Sequence, residues 1–513
     1  MTRSTAAPHT NPFFDGLVFF LLAALLAFGP VVRGGNRQVA LVALLALGLG
    51  LLACLGAALT FSRLPGARAL QALSSDCGQS HGDHHGLGDD GIRSASPSLR
   101  LVLLGLAGTC PLWLGLLQLT PLPAALWASL AGRDVYGPAL ASASAALPGA
   151  LPLSLNPTAT WTALLSGIPA AAAFFAALYL PARVLDKALG LLLLVGACEM
   201  LLALLQFSQG SRSFFYFDMP GSGGFVGSFA NRNHLADFLA MLVPLWFYRM
   251  VQNGSQARTQ DGPHRRSTAR SGHRSARLSS MQLPLWIFFG FALLVVVLST
   301  LSRGGLLATT LVLLASSLLW MGTLRQRLGL RQRLGLWAVV AVFAGLALTT
   351  AGLEGLGKRM DNQTLSLDAQ TRSTYTQATL EAARTFWPWG SGAGTFESVF
   401  PRFQALESPG YVEYAHNDYA QLAMELGLPG VLLALALAWL VLAQLRALWR
   451  ARGRGGRLSQ ALVQQAYCGL GASALLVHSV VEFNMHIPAL ATTAAFLLGV
   501  YLRPLPSQSP LQQ

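Results

Sequence analysis

Several short polar stretches of this chain carry side chains that could do chemistry. One of them, EYAHNDYAQLAMELGLPG at 413–430, runs directly into an apolar segment. Histidine is the side chain that most readily takes up a proton near neutral pH, so His416 is a candidate general base. We expect a helix to begin near Tyr414, with an amide dipole that favours neutral His416 and attracts anions, whereas Glu413 would favour the imidazolium. The structural alternative is a helix-start histidine that bonds only to the backbone.

Three arginines at the ends of apolar segments are candidates for binding phosphate oxygens, which the planar guanidinium holds bidentately. Arg303 lies in LSRGG between two apolar runs, and the two glycines there would let a bulky ligand approach. An arginine at membrane depth costs about 2.5–3.5 kcal/mol, so it usually has a partner. Arg372 lies near the start of a predicted helix, and Arg232 lies in FANRNHLADF. The alternatives are snorkelling to lipid headgroups for Arg303 and Arg232, and a solvated surface position for Arg372.

Four further polar residues on the same side of the membrane are secondary candidates. Glu482 and His486 occur in VVEFNMHIP, and Glu413 and Asn417 stand on either side of His416 in the sequence.

The composition identifies the class of protein that must position these residues. The chain has 513 residues, of which 53% are hydrophobic and 11% charged, and its mean hydropathy is +0.50. A soluble domain has about a quarter charged residues, and a bilayer core requires about 20 apolar residues per helix. We therefore predict an all-α polytopic membrane protein with about 12 transmembrane helices. The apolar runs centre near residues 22, 49, 108, 170, 196, 241, 291, 312, 343, 433, 472 and 494.

The charge distribution predicts how these helices are oriented. The net charge is +14, and the arginines cluster in short loops such as 258–277, 325–333 and 446–457. This is the positive-inside pattern of a membrane protein and not a basic nucleic-acid groove. The long polar segment 353–419 carries eight acidic and five basic residues, so it is net acidic and should face outward. We expect a bacterial inner-membrane protein with both termini in the cytoplasm and its active site in the periplasm.

This topology divides the chain into four segments. They are amino-terminal transmembrane helices at 1–219, central transmembrane helices at 220–352, an extracytoplasmic catalytic loop at 353–419 and carboxy-terminal transmembrane helices at 420–503. In the loop, LDAQTRSTYTQATLEAARTFW has apolar residues at helical spacing, which predicts a helix that begins at Asp368. Pro388 and the glycines of WPWGSGAG should end it. We therefore expect a large extracytoplasmic loop domain of short helices.

The sequence gives little support to a metal or disulfide site. The chain contains no D-x-D motif, so a metal-dependent nucleotide-sugar site would have no ligands. The stretch HGDHHGLGDDG could bind a metal through His81, His84 and His85, but it lies in a Gly- and Ser-rich cytoplasmic loop without a second ligand cluster. The five cysteines form no C-x-x-C pair. We expect no metal, no cofactor and no disulfide framework.

Four motifs, in this order, connect these features to a known family. They are GSFANRNHLADFLAMLVPL, LSRGG, R-x-x-Y followed by WPWGSGAGTFESVFPRF, and YAHNDYAQLAMELGLPG. Together they resemble the O-antigen ligase and O-antigen polymerase (Wzy-type) superfamily over about residues 220–500. The amino-terminal half is similar to that superfamily only in hydropathy.

This resemblance implies a metal-independent glycosyltransferase that acts outside the cytoplasmic membrane on glycan carried by undecaprenyl diphosphate. Arg303 and Arg372, together with Arg232, would bind the diphosphate, and His416 would activate the acceptor hydroxyl. A diphosphate leaves as a stabilised anion, so one base is enough for in-line attack with inversion at the anomeric carbon. The implied partners are the polyprenyl-diphosphate-linked glycan, the lipid bilayer, and a chain-length regulator and flippase of the same pathway.

The acceptor and one alternative class of function remain open. A polymerase would extend a second lipid-linked glycan, whereas a ligase would transfer to lipid A-core, and the motif HSVVEFNMHIPA favours the polymerase. A membrane transporter or lipid-sugar flippase would also need outward-facing arginines. It should in addition show charged or Gly/Pro-broken positions at mid-membrane in paired halves, which the sequence does not show.

Overall fold

The chain is an all-α polytopic membrane protein, as its composition predicted. The computed structural model describes residues 12–31, 33–61, 104–144, 149–210, 213–216, 225–229, 231–260, 272–324, 364–405, 410–452 and 458–505, together with six residues between 334 and 345. The His-rich stretch at 81–91 and the basic loop at 325–333 lie outside the described residues.

The described elements are numbered here in chain order. The helices are α1 Pro12–Val31, α2 Gln38–Phe61, α3 Cys110–Gln118, α4 Ala124–Ser129, α5 Tyr136–Ser144, α6 Pro157–Ser166, α7 Ile168–Tyr179, α8 Ala182–Gln209, α9 Arg232–Gln260, α10 Gly272–Ser299, α11 Arg303–Leu324, α12 Thr364–Thr385, α13 Phe396–Val399, α14 Asp418–Arg450, α15 Gln460–His478 and α16 Pro488–Tyr501. Two short strands, β1 Pro121–Pro123 and β2 Ala150–Pro152, pair antiparallel.

Many of these helices can cross a bilayer. Within the described chain, seven helical stretches are long and apolar enough to do so: Pro12–Val31, Gln38–Phe61, Pro157–Tyr179, Ala182–Gln209, Arg232–Gln252, Arg303–Gly322 and Asp418–Arg450. Pro284–Ser299 and Pro488–Tyr501 are shorter apolar helices. The predicted run near residue 343 lies almost entirely outside the described residues, and the run near residue 108 begins outside them. The total of twelve spans therefore stays a prediction.

Helix α9 lies at the centre of the bundle, because every side chain from residue 234 to residue 245 is buried. Small residues let neighbouring helices approach closely, as in other membrane bundles. A Cβ added to Gly471 in α15 would lie 2.9 Å from the carbonyl oxygen of Met241, and one added to Gly499 in α16 would lie 2.6 Å from that of Phe174. The polar residues His234 and Asp237 of this stretch consequently face protein and not lipid.

A folded layer covers one end of the bundle and combines two distant parts of the chain. Phe386, Phe396 and Phe400 of the 353–419 loop form a small apolar core with Met424, and Tyr136 packs against it. The backbone N–H of Leu155 donates to Ser391 O at 2.8 Å. Gln118 Nε2 donates to Glu425 O at 2.8 Å, and Gln118 Oε1 accepts from Ala393 N at 2.7 Å. The layer thus includes residues 121–144 and 149–156, which lie within the segment 1–219 that was predicted to contain the amino-terminal transmembrane helices.

Helix α14 is broken near its start, which the sequence analysis did not anticipate. Gly427 has φ 57° and ψ −145°, a conformation that is accessible essentially only to glycine. A Cβ at Gly427 would lie 2.3 Å from Pro388 O, and Leu428 N donates to the same carbonyl at 2.7 Å. The WPWGSGAG turn therefore docks into the break, and it fixes the first two turns of α14 beneath the folded layer.

Two predicted helix starts are wrong. The described part of helix α12 runs from Thr364, so Asp368 lies inside the helix and not at its start. Helix α14 begins at Asp418, and the side chain of Asn417 caps it by accepting from Ala420 N at 3.1 Å. The helix was predicted to start near Tyr414, but it starts four residues later, because asparagine is a preferred N-cap residue. His416 consequently precedes the helix instead of lying in its first turn.

Candidate active site

Glu482 is the centre of the polar cluster that contains His416. It lies in the turn between α15 and α16, and its side chain is only 1% exposed. Its Oε1 accepts from Arg372 Nη1 at 2.7 Å and also from Asn233 Nδ2. Its Oε2 lies 3.2 Å from His416 Nδ1. Three separate parts of the chain therefore meet at one buried carboxylate, which holds a histidine and an arginine next to each other.

The charge on Glu482 determines which nitrogen of His416 carries a proton. Burial alone would raise the pKa of Glu482, but the bond to His416 and the charge of Arg372 outweigh burial and lower the pKa to about 2. An ionised carboxylate can only accept hydrogen bonds, so Nδ1 of His416 must be the donor. In the neutral ring, Nε2 then carries the lone pair and can take a proton from a substrate.

The backbone also holds His416 in an unusual orientation. Its φ is 51°, in the left-handed region that L-residues other than Gly, Asn and Asp seldom adopt. Its ring packs edge-on against Phe483, with the centroids 5.0 Å apart, and its side chain remains 28% exposed. Strained backbone at a partly exposed, charge-oriented histidine is characteristic of a functional position.

Asp418 fixes the start of α14 against the turn that carries Glu482. Its carboxylate accepts from His486 Nδ1 at 2.7 Å and from Met485 N at 2.8 Å. Its backbone N–H donates to Ser479 O at 3.0 Å. Because Asp418 is two residues from His416, these bonds also fix the distance between His416 and Glu482. His486, a secondary candidate by sequence, thus supports the site from behind.

A second set of bonds attaches the WPWGSGAG turn to the same helix start. Gln421 Oε1 accepts from Ala415 N at 3.0 Å, and Gln421 Nε2 donates to Glu425 Oε1 at 3.1 Å. The buried carboxylate of Glu425 also accepts from Gly394 N at 2.9 Å and from Phe396 N at 3.2 Å. The sequence motif around WPWGSGAG therefore positions the helix that follows His416 instead of supplying a reacting group.

The His486–Asp418 pair makes stability depend on pH in a definite direction. Burial would lower the pKa of His486, but Asp418 raises it above the ordinary value of 6.5, and the net shift is upward. The stabilisation is fully present below about pH 6.5 and is lost as pH rises through the raised pKa of the folded state. We expect the unfolding temperature of the purified protein to fall between about pH 6 and about pH 9, and to fall less in His486→Gln. Equal slopes for the two proteins would contradict this assignment.

The two diphosphate candidates Arg303 and Arg372 approach the same turn. Arg303 is the exposed first residue of α11. A Cβ at the adjacent Gly304 would lie 2.5 Å from His478 Nε2 and 2.9 Å from Val481 Cγ2. Arg372 Nη1 donates to Val481 O at 3.1 Å. The two glycines of SRGG thus make room for protein side chains and not, as expected from sequence, for a ligand.

The remaining candidates are distributed around this centre. Arg232 is exposed at the first residue of α9, and its neighbour Asn233 is the residue that reaches Glu482. Glu413 is exposed, and Glu482 takes the place beside His416 that Glu413 was expected to have. Asn417 caps α14. The role of each of these residues in binding substrate stays a prediction.

Sequence reasoning missed several buried polar residues behind the site. His478 Nδ1 lies 3.4 Å from Asp237 Oδ1, within ion-pair distance but without the alignment of a hydrogen bond. His234 is buried with its ring edge-on to Phe483, 4.9 Å between centroids. All three belong to motifs that were noted, FANRNHLADF and HSVVEFNMHIPA. Their burial was not visible in sequence, because it depends on which helix face meets the bundle.

The geometry brings together an oriented base, an arginine on the same carboxylate, and a second arginine beside the same turn. Such a site can remove a proton from a hydroxyl while positive charge offsets an anion that forms nearby. Among the residues that the structure describes, no group of three or more His, Cys, Asp or Glu side chains could hold a metal ion.

A comparison with protein families found a match to the family described as O-antigen ligase over residues 288–435. The match includes Arg303, Arg372 and His416, and it ends before Glu482. It confirms the superfamily that the ordered motifs resemble. A comparison with curated proteins gave no match.

Proposed function

Because residues 288–435 place the chain in the O-antigen ligase and polymerase superfamily, we propose that it transfers a glycan from a polyprenyl-diphosphate carrier to a hydroxyl acceptor. The observation that carries this proposal is the contact of His416 Nδ1 with Glu482 Oε2, on a carboxylate that also binds Arg372. This arrangement leaves His416 Nε2 as a base beside fixed positive charge. The family match supplies the reaction class, and these residues supply a chemical route.

The proposed reaction is a single in-line displacement. The acceptor oxygen forms a bond to the anomeric carbon of the donor glycan, and its proton goes to His416 Nε2. The bond between that carbon and the phosphate oxygen breaks, and its electron pair leaves with the polyprenyl diphosphate. One displacement inverts the configuration at the anomeric carbon.

Arg303 and Arg372 are the residues proposed to bind the departing diphosphate, with Arg232 at the edge of the site. Guanidinium groups bind phosphate oxygens bidentately and stay charged when partly covered. Arg372 has a second function in this proposal, since its bond to Glu482 keeps the carboxylate ionised next to His416. Glu482 in turn stabilises the imidazolium that forms when His416 accepts the proton.

We propose that the site faces the periplasm and that both termini lie in the cytoplasm of a bacterial inner membrane. A separate polar cluster marks the opposite end of the bundle, where Asp186 Oδ1 accepts from Gln464 Nε2 at 2.6 Å and also from Tyr248 Oη. From Arg232 to Arg249, α9 rises by seventeen residues, or about 25 Å. The two polar ends are therefore about one bilayer core apart.

Labelling of single cysteines tests this orientation. In a background without native cysteines, Gln377→Cys on exposed α12 should react with an impermeant thiol reagent on intact cells. Arg446→Cys on the exposed end of α14 should react only after lysis. Equal labelling of both cysteines on intact cells would remove the compartment that the proposal requires.

Two acceptors fit the proposed reaction, and a different observation supports each of them. HSVVEFNMHIPA favoured a polymerase by resemblance. In the structure, however, its Glu482 bonds to His416 and its His486 bonds to Asp418. Transfer to either acceptor would require these contacts, so the motif does not distinguish the two. The description of the matching family favours a ligase that transfers to lipid A-core. We keep the surface polysaccharide or O-antigen polymerase as the first candidate and the ligase as the second.

A reconstituted assay distinguishes these candidates and tests the proposed function itself. Purified protein in vesicles receives a polyprenyl-diphosphate oligosaccharide, either alone or with lipid A-core. A polymerase should form a ladder of lipid-linked products from the donor alone, whereas a ligase should modify only lipid A-core. Glycan transfer to neither acceptor, with movement of intact donor between leaflets, would contradict the proposal and favour the flippase alternative.

A further inference from the structure

A cavity of about 230 Å³ opens beside the candidate active site and plays no part in the reaction described above. It lies between the α1–α2 turn, the start of α9 and the segment before His416. Its lining residues include two arginines, two asparagines, a carboxylate and three aromatic rings. They are Arg33, Asn36, Arg37, Phe229, Asn231, His234, Glu413, Tyr414, Phe483 and Ile487.

The α1–α2 turn that borders this cavity is tightly fixed. Arg33, Gly34 and Gly35 have φ values of 50°, 66° and 81°, so three consecutive residues are left-handed. A Cβ at Gly34 would lie 2.9 Å from both Phe229 and Ile487 side chains, which shows how closely the turn packs. Arg33 adopts this conformation without the freedom of a glycine. The turn therefore fixes the backbone from which Arg33 reaches the cavity.

The cavity also contains one buried polar group that the described part of the chain does not satisfy. His234 is 4% exposed, and its Nε2 has no hydrogen-bond partner in the described part of the chain. A buried nitrogen of this kind normally bonds to something, and a ligand in the cavity would supply that partner. Asn36 contacts the Tyr414 hydroxyl, and burial chiefly raises the pKa of that hydroxyl, so it remains a donor.

The lining has the chemistry of a site for an acidic sugar. Two guanidinium groups face one carboxylate, Glu413, so the net charge of the lining is positive. Arginine binds carboxylate and phosphate groups bidentately, and asparagine side chains offer both donors and acceptors to hydroxyls. Tyr414 stacks on Phe483 with centroids 4.4 Å apart and an angle of 9° between the rings. Aromatic surface with a few fixed polar groups is typical of a small-molecule site.

The position of the cavity connects it to the reacting hydroxyl. Phe483 lines the cavity and also contacts the ring of His416 at 5.0 Å between centroids. Tyr414 lines it two residues before His416. A glycan that presents its hydroxyl to His416 would extend past Phe483 into this space.

From these observations we propose that the cavity is a saccharide subsite for a sugar that carries a carboxylate or phosphate group. Arg33 and Arg37 bind the anionic substituent, and Asn36, Asn231 and His234 bind ring hydroxyls. The sugar belongs to the glycan that meets His416, so this proposal rests on the proposed function and specifies its substrate class. Neither arginine was a candidate by sequence.

Binding of defined saccharides to the full-length protein tests the proposal. Protein in nanodiscs of phosphatidylcholine is titrated calorimetrically with digalacturonic acid, with its neutral counterpart galactobiose, and with mannose 6-phosphate. We expect the two acidic probes to bind about tenfold or more tightly than galactobiose, because charge-assisted hydrogen bonds contribute that much. The stronger of the two acidic probes identifies the substituent as carboxylate or phosphate. Equal affinity for all three probes would overturn the proposal.

Variants show where the probe binds. Arg33→Gly removes the guanidinium but suits the left-handed φ, so it should fold normally and bind the acidic probe about tenfold more weakly. Arg37→Ala should have a similar effect. The matched control is Arg384→Ala, because Arg384 is also an exposed arginine but lies outside this cavity. Unchanged affinity in Arg33→Gly and Arg37→Ala would overturn the subsite. Loss of binding when phosphatidylglycerol is added to the nanodisc would instead assign the turn to lipid headgroups and would also overturn it.

The same titration separates this proposal from the function on which it rests. His416→Asn should bind digalacturonic acid as tightly as the wild type while it transfers glycan about 10²–10⁴-fold more slowly. Normal binding together with persistent transfer in His416→Asn would contradict the proposed base and leave the subsite intact. The opposite result is that the wild type binds no acidic saccharide and that His416→Asn is inactive. That result would support the base assignment and reject the subsite.

Discussion

Replacing His416 with asparagine should lower glycan transfer by about 10²–10⁴-fold, the usual contribution of a general base. The fold should survive, because asparagine tolerates the left-handed φ of 51° that this position requires. Asparagine cannot accept a proton in the way that His416 Nε2 does. The loss should therefore appear in the rate of transfer and not in the amount of folded protein.

The experiment measures transfer in vesicles, together with protein yield, unfolding temperature and donor binding. Untransferred, lipid-linked glycan should accumulate in cells that carry His416→Asn, and Arg384→Ala, an exposed residue of α12, should behave as wild type. EDTA should leave wild-type activity unchanged. A folded His416→Asn protein with nearly normal transfer would remove the base assignment and make Glu413 and Glu482 the next residues to test.

His416 was predictable from sequence because its residue type and its position before an apolar run already suggest a base. The importance of Glu482 was not predictable in the same way. Its partners Asn233, Arg372 and His416 lie 249, 110 and 66 residues away in the chain, so only the packed bundle shows that they meet. By sequence, Glu482 was only a secondary candidate, whereas Arg232 was a candidate for binding diphosphate. In the structure Arg232 is exposed, and the adjacent Asn233 donates to the Glu482 carboxylate.

The helical class of the fold also followed from composition, whereas the folded layer at one end of the bundle did not. Hydropathy identifies runs that are long enough to span a bilayer, and the described helices coincide with most of them. It gives no information about which loops pack together. The attachment of this earlier part of the chain to the WPWGSGAG turn depends on single contacts, such as Leu155 with Ser391 and Gln118 with Ala393, which have no periodic signature.

Glu482→Gln is the variant expected to have the second largest effect, a loss of transfer of about 10–100-fold. Glutamine has nearly the same shape, so Arg372 and Asn233 can still donate to its carbonyl oxygen. The change removes the negative charge that fixes the proton of His416 on Nδ1 and stabilises the imidazolium formed during transfer. An amide can present either an acceptor or a donor to Nδ1, so the orientation of the base is no longer defined.

The pH dependence distinguishes this positioning role from simple structural support. In Glu482→Gln the acid limb of the pH–rate profile should differ from that of the wild type, because the side chain beside His416 no longer carries a charge. Stability gives an independent control. The pKa of Glu482 is lowered from 4.5 to about 2 in the folded protein. Its stabilisation is therefore present above about pH 4.5 and is lost as pH falls toward about 2, and Glu482→Gln should lack this component of acid sensitivity.

A merely structural Glu482 would give a different combination of results. Glu482→Gln would then show a lower unfolding temperature and a lower yield of active protein, with the pH–rate profile of the remaining activity unchanged. Full activity with an unchanged profile would mean that the backbone at φ 51° and the contact with Phe483 are enough to orient His416. A shifted acid limb in a well-folded, slow enzyme is expected only if the carboxylate acts through the histidine.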